Sequence, residues 1–97
     1  MKKIGTYKIE TSFNIPDRGI IALCQAIEGL VRVGSVTNIE FAGALLAAKI
    51  IGAEMGNLCE DGILRRGLLL KFEDETLVTR IASEKLKEQI IEIFVQE

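Results

Sequence analysis

Adjacent acidic side chains are the first feature of this sequence with chemical potential. Hydrolases use two carboxylates as acid and base, and neighbouring carboxylates occur at Glu60-Asp61 and in the run from Glu73 to Glu75. Successive residues of a strand point to opposite faces, and carboxylates in loops are solvated, so these clusters predict no catalytic pair. They also lack the spaced ligands and central glycine of a calcium loop, and we expect no metal site.

The two thiols, Cys24 and Cys59, have no histidine in the chain to activate them. They also lack a CxxC spacing, so they predict neither a zinc site nor a Cys–His nucleophile. Cys24 lies in the apolar run from Ile20 to Ile27 and is expected in the core, whereas Cys59 is expected to be an exposed loop thiol. A GxxxxGK[ST] phosphate loop is absent, which excludes nucleotide hydrolysis and a bound nucleotide. We therefore predict a protein that is not an enzyme, with no catalytic residues and no cofactor.

Length and charge restrict the architecture and the partners. The 97 residues suffice for a single domain, residues 1–97, and 48% hydrophobic with 27% charged residues is typical of a folded chain. A net charge of -2 leaves no excess positive field to attract a polyanion. We find no secretory signal and no run of 18 apolar residues, so we expect a cytoplasmic protein that does not enter a membrane.

The first half of the sequence is typical of short strands joined by turns. Alternate residues from Tyr7 to Ile15 are apolar or small, which predicts a strand with Tyr7, Ile9, Thr11, Phe13 and Ile15 on its core face. Pro16 and Gly19 predict a tight turn, and the apolar run that ends at Ile27 predicts a buried strand after it. Residues Val36 to Phe41 alternate again and predict another strand.

The second half contains two stretches that suit either a helix or a strand. In Ala44 to Met55 we favour a strand with a bulge at Gly52, because glycines bracket it within a β pattern. Residues Arg66 to Glu73 predict a further strand, and acidic residues followed by apolar residues at helical spacing predict one or two helical turns near residues 75–84. The stretch from Ile90 to Val95 is rich in β-branched residues, but a helix remains open there.

A succession of short alternating strands must bury one face and hide its edges. Closure into a barrel achieves both, so the sequence predicts an all-β fold, a small closed six-stranded Greek-key-like barrel.

Several motifs resemble the second domain of elongation factor Tu and related translational GTPases. They are Phe13-x-Ile-Pro-Asp-Arg-Gly19, then Glu28-Gly-Leu-Val-Arg-Val-Gly34 with Ile39, and Ile50-Ile-Gly-Ala-Glu-Met55. The resemblance covers about residues 11 to 73 and implies the translation-protein type of barrel.

In that family the barrel holds the acceptor end of aminoacyl-tRNA and touches the ribosome, and the resemblance places Glu54 beside the terminal adenosine. The family's Thr-Gly-Arg is replaced here by Leu23-Cys24-Gln25. Arg65 and Arg66 provide a basic spot if the strands bring Arg32 and Lys71 beside them. The candidate RNA-binding residues are Glu54, Arg18, Arg65 and Arg66.

Spare apolar side chains support a different function. Leu45, Leu46, Ile63 and Leu64 exceed what a small barrel is expected to bury, and exposed apolar patches mark interaction surfaces. Our preferred prediction is a non-enzymatic binding module that docks a protein partner or associates with itself. The alternative is a translation-associated domain that binds tRNA or the ribosome.

Overall fold

The computed structural model describes residues 1–54 and 60–96, and strands dominate this part of the chain. The strands are β1 (Lys2–Ile15), β2 (Gly19–Gly29), β3 (Val36–Phe41), β4 (Ala44–Glu54), β5 (Arg65–Phe72) and β6 (Gln89–Val95). A 3-10 turn at Glu75–Leu77 runs directly into helix α1 (Val78–Glu84). Neighbouring strands are antiparallel and close into a barrel in the order β1-β2-β5-β4-β3-β6. The predicted all-β, closed six-stranded barrel and the helical turns near residues 75–84 are therefore confirmed.

Both stretches that the sequence left open between helix and strand form strands. The first is β4, described as far as Glu54, and its register against β5 shifts between Ile50 and Gly52, where the bulge was predicted. The second is β6, in which Ile91 and Ile93 face inward and are 2% and 0% exposed. The β-branched side chains of β6 pack well on a pleated sheet, which explains why this stretch forms a strand and not a helix.

The predicted core face of β1 is wrong from Thr11 onward. Tyr7 and Ile9 are buried, but the register against β2 shifts between Ile9 and Thr11 and leaves one extra residue in β1. An extra residue moves every later side chain to the opposite face of the sheet. Ser12 is consequently buried at 1% exposure, whereas Phe13 points outward and is 42% exposed.

The two long connections cover the two ends of the barrel. Between β2 and β3, the backbone N–H of Leu30 donates to the carbonyl oxygen of Ile4 (3.0 Å), and Val31 packs against the core. Between β5 and β6, Ile81 of α1 and Leu86 after it are buried in the core. These caps explain how so short a chain excludes water from both ends of the cylinder.

The seam of the barrel, where β3 meets β6, is joined largely by side chains. Among the described residues, the one pair of directly opposite residues between these two strands is Val36 of β3 with Phe94 of β6. Farther along, the backbone N–H of Glu40 donates to Gln89 Oε1 (2.9 Å), and Gln89 Nε2 donates to the carbonyl oxygen of Glu40 (3.0 Å). The amide of Gln89 therefore takes the place of a backbone peptide between the two strands.

Candidate functional site

The structure brings two of the candidate RNA-binding residues into direct contact. Arg18 lies in the turn between β1 and β2, where Pro16 and Asp17 reverse the chain and the N–H of Arg18 donates to the carbonyl oxygen of Ile15 (3.0 Å). Its guanidinium Nη2 lies 2.7 Å from Oε1 of Glu54, at the end of β4, and both side chains are about half exposed. The carboxylate and the guanidinium neutralise each other, so neither presents a free charge to a phosphate.

Arg65 is held by two carboxylates. Its Nη2 lies 3.1 Å from Oε1 of Glu10 and 2.8 Å from Oδ2 of Asp61, its Nη1 lies 3.1 Å from Oδ1 of Asp61, and its Nε donates to Oε2 of Glu10. The hydrogen bonds from Arg65 lower the pKa of both carboxyl groups below their ordinary values. Bidentate contacts of this kind fix the side chain on the barrel wall, where it is 16% exposed.

The strands do not bring Arg65, Arg66 and Lys71 together, which was the condition for a basic spot. Arg66 is opposite Cys24 in the register of β5 and β2, so it points to the other face from Arg65. Lys71 is on the same strand, about 20 Å beyond Arg65 at the usual rise of a strand. Arg32 lies in the connection between β2 and β3. Arg65, Arg66 and Lys71 are thus not brought to one place on the barrel surface.

The four candidate partner-binding leucines and isoleucines do not form one surface either. Leu45, near the start of β4, is 70% exposed, but Leu46 beside it is 9% exposed and belongs to the core. Ile63 is partly buried and Leu64 is 45% exposed, just before β5. β5 starts against the far end of β4, so Leu64 is about 30 Å from Leu45 along the barrel. Burial removes Leu46 from any surface open to a partner.

An apolar row on the outer surface, which the sequence did not predict, crosses four neighbouring strands. Phe13 of β1 is opposite Ile21 of β2, and Ile21 is opposite Leu69 of β5. Leu69 is in turn opposite Gly52 of β4, beside Ile51, which the bulge turns outward. We call Phe13, Ile21, Leu69 and Ile51 the outer row. Its two ends, Phe13 and Ile51, are 42% and 41% exposed.

The middle of the outer row is closely packed on the barrel wall. A Cβ at Gly67 would lie 3.1 Å from Cγ2 of Ile21 and 4.0 Å from Cβ of Glu54, so the absence of a side chain there lets these residues approach. Ile21 is only 9% exposed although it faces outward. The ion pair between Arg18 and Glu54 therefore borders the row, and the two ends of the row remain open to solvent.

Two grooves lie beside the Ile51 end of the outer row. The first has a volume of about 440 Å³ and is lined by Ile51, Arg18 and Lys71 together with the start of the helical segment, residues 75–84. The second has a volume of about 490 Å³ and is lined by Lys49 and Lys71 together with Ala47. Lys71 and Glu75 thus line both grooves.

Two of the groups with chemical potential, the Cys24 thiol and the Asp74 carboxylate, have structural roles. Burial raises the pKa of the Cys24 thiol to about 12, which keeps it protonated, and Cys59 lies outside the described residues. Asp74 caps the helical segment, because its carboxylate accepts from the backbone N–H of Thr76 (3.0 Å). Within residues 1–54 and 60–96 there is no group of three potential metal ligands and no helix long and apolar enough to cross a membrane.

The chain matches no protein-family model, no curated protein and no solved structure. The residues that carry the resemblance to translational GTPases have structural roles in the described barrel. Phe13 to Gly19 form the turn between β1 and β2, and Ile50 to Glu54 contain the bulge of β4. The relationship to that family stays a prediction.

Proposed function

We propose that this chain is a non-enzymatic binding module that docks a protein partner, or a second copy of itself, through the outer row. The observation that supports this proposal is the continuous line of apolar side chains on the outside of the sheet. An antiparallel sheet with one face in the core usually presents polar side chains on its other face. Exposed apolar side chains in such a position are typical of an interaction site, and here they are Phe13, Ile51 and the partly exposed Leu69, because Ile21 is buried.

The exposed ends of the row supply apolar area that a partner could bury at the centre of a larger interface. Phe13 and Ile51 keep 42% and 41% of their surface in water. Burying these fractions removes roughly 150 Å² of apolar area, which at about 25 cal/mol per Å² contributes on the order of 4 kcal/mol. That is the magnitude found at the central residues of protein interfaces.

The alternative, an RNA-binding or ribosome-binding domain, has its support in the family resemblance. Three of its four candidate residues, Arg18, Glu54 and Arg65, are engaged in ion pairs within the barrel. A phosphate would have to displace a carboxylate from each arginine. The ion pairs therefore favour protein docking over RNA binding.

Site-specific photo-crosslinking in cells tests the proposal with a matched control. The crosslinking residue p-benzoylphenylalanine replaces Ile51 in one sample and Ile90 in the other, because Ile90 is an exposed isoleucine (64%) on β6, away from the outer row. We expect a discrete protein adduct from position 51, weakened by Phe13→Asp, and none from position 90.

Equal adducts at both positions, or none at position 51, would contradict the proposal. The mass of the adduct distinguishes a second copy of the chain from another protein. An adduct that disappears on nuclease treatment would support the RNA alternative instead.

A further inference from the structure

Two lysines are directly opposite each other on the outer surface of the barrel. Lys49 of β4 and Lys71 of β5 form a register pair, and both side chains are exposed. Like charges in this position destabilise a sheet, because opposite side chains start only about 5 Å apart. In the described part of the chain, neither lysine lies within ion-pair distance of a carboxylate, whereas Arg18 and Arg65 are both paired.

The lysine pair continues the outer row at its Ile51 end. Lys71 is two residues from Leu69 and Lys49 is two residues from Ile51, so each lysine follows a row member on the same face. The groove of about 440 Å³ places Lys71 and Ile51 on one lining. Apolar and cationic groups are therefore neighbours on this part of the surface.

Two glutamates also line the second groove. Glu73 and Glu75 line it together with Lys49 and Lys71, but no ion pair joins them to either lysine. Glu75 also lines the first groove, together with Ile51 and Lys71. The attraction for a negatively charged ligand is therefore confined to the two opposed ammonium groups of Lys49 and Lys71.

We propose that the occupant of the outer row is an acidic segment of a protein partner. Its carboxylates bind Lys49 and Lys71 while an apolar side chain packs on Ile51 and Leu69. The inference rests on the proposed docking function and names the chemistry of the partner. A carboxylate between the two ammonium groups replaces their repulsion by two attractive contacts, which gives the complex its charge complementarity.

Two other occupants fit these observations less well. A second copy docked symmetrically on the row would bring a second lysine pair into the same interface. A nucleic acid would need exposed aromatic rings near the lysines for stacking, but Phe72 is buried and Phe13 lies at the other end of the row.

Binding of defined probes tests the inference. Fluorescence anisotropy compares a hexapeptide of alternating Glu and Leu, the same peptide with Lys in place of Glu, and a single-stranded RNA hexamer. We expect the acidic peptide to bind best. Replacing both lysines (Lys49→Gln with Lys71→Gln) should weaken this binding about tenfold, as two lost charge contacts imply.

The control variant makes the same change of charge elsewhere, with Lys2→Gln and Lys87→Gln, both exposed and outside the row. We expect it to bind the acidic peptide within about twofold of the original chain. Absence of binding by the acidic peptide, equal binding after the Lys49 and Lys71 replacements, or tighter binding of the basic peptide or the RNA would overturn the inference.

A third variant separates this inference from the docking function. If Ile51→Asp abolishes binding of both peptides while the lysine replacements change nothing, the outer row docks protein without regard to charge, and only the acidic partner is refuted. If position 51 also yields no crosslinked adduct in cells, the proposed docking function is refuted as well.

A measurement without ligand tests the repulsion itself. We expect Lys49→Glu to raise the urea midpoint of unfolding at low ionic strength, because it turns a like-charge pair into an opposite-charge pair. The gain should shrink in about 0.5 M NaCl, where exposed charges are screened. A neutral or lowered midpoint at low salt would show that the two lysines do not repel each other, and would remove the basis of the inference.

Discussion

Gly5→Ala tests how tightly the connection between β2 and β3 closes the barrel. A Cβ at Gly5 would lie 2.9 Å from the backbone nitrogen of Leu30 and 3.1 Å from its carbonyl carbon, and closer still to its carbonyl oxygen. All three atoms belong to the backbone, so no rotation of a side chain relieves the overlap. The connection or the strand must therefore move by about 1 Å.

The cost follows from the contacts that such a movement disturbs. Overpacking of this kind costs about 1–3 kcal/mol, and loss of the hydrogen bond from Leu30 to Ile4 (3.0 Å) costs about 1 kcal/mol. Alanine also raises the free energy of unfolding by about 0.4–1 kcal/mol, because it restricts the unfolded chain more than glycine does. The net free energy of unfolding should fall by about 2–3 kcal/mol, a large part of the stability of a small domain.

Urea unfolding followed by circular dichroism measures this loss. At roughly 1 kcal/mol per molar urea, the midpoint should fall by about 2 M. Gly52→Ala is the matched control, because the new Cβ there meets only the side chain of Leu69, at 3.3 Å. We expect a change of less than about 1 kcal/mol for the control. Equal midpoints for the two variants would refute the close packing of Leu30 on Gly5.

Three further predictions concern the seam, the ion pairs and the thiol. Gln89→Ala removes the amide that pairs with the backbone of Glu40, so amide hydrogen exchange at Glu40 should accelerate about fivefold, as loss of roughly 1 kcal/mol implies. Arg65→Met should lower the urea midpoint at pH 7, where the carboxylates that Arg65 binds are ionised. Because Arg65 lowers the pKa of these groups, its contribution is present above their ordinary values of 4.5 and 3.8 and is lost as the pH falls through the lowered values. Cys24, whose buried thiol has a pKa of about 12, should react with a disulfide reagent at about pH 8 only when the chain unfolds. The reaction is measured in the Cys59→Ser variant, in which Cys24 is the one remaining thiol.

Each of these predictions has an outcome that would contradict it. Unchanged exchange at Glu40 would mean that the side chain of Gln89 does not protect the seam. A destabilisation by Arg65→Met that stays constant down to about pH 2 would show that the ion pairs are not its cause. Rapid reaction of Cys24 without denaturant would mean that the core opens far more readily than its burial suggests.

Much of the fold follows from local patterns in the sequence. Pro16 and Gly19 mark the first turn, and the glycines around residues 44–55 identify a strand in a stretch of good helix formers. The side chains of β1 are predicted only up to Ile9, because periodicity does not reveal an extra residue. The shift after Ile9 therefore places Phe13 in the wrong environment.

The candidate site depends on contacts that the sequence does not contain. The ion pair between Arg18 and Glu54 joins a turn to a strand 36 positions away in sequence, and only the barrel order brings them together. One signal of the outer row was nevertheless present. Ile20 to Leu23 and Leu68 to Leu70 are continuous apolar runs, which indicates that both faces of these strands are apolar.

Radical footprinting of side chains tests the central claim most directly, by comparing the purified chain with the chain in living cells. If the outer row docks a protein, Phe13 and Ile51 should be oxidised more slowly in cells than in the purified chain, while Ile90 is oxidised equally in both. Equal oxidation of Ile51 in the two samples, or protection of Ile90 alone, would contradict a docking surface on this side of the barrel.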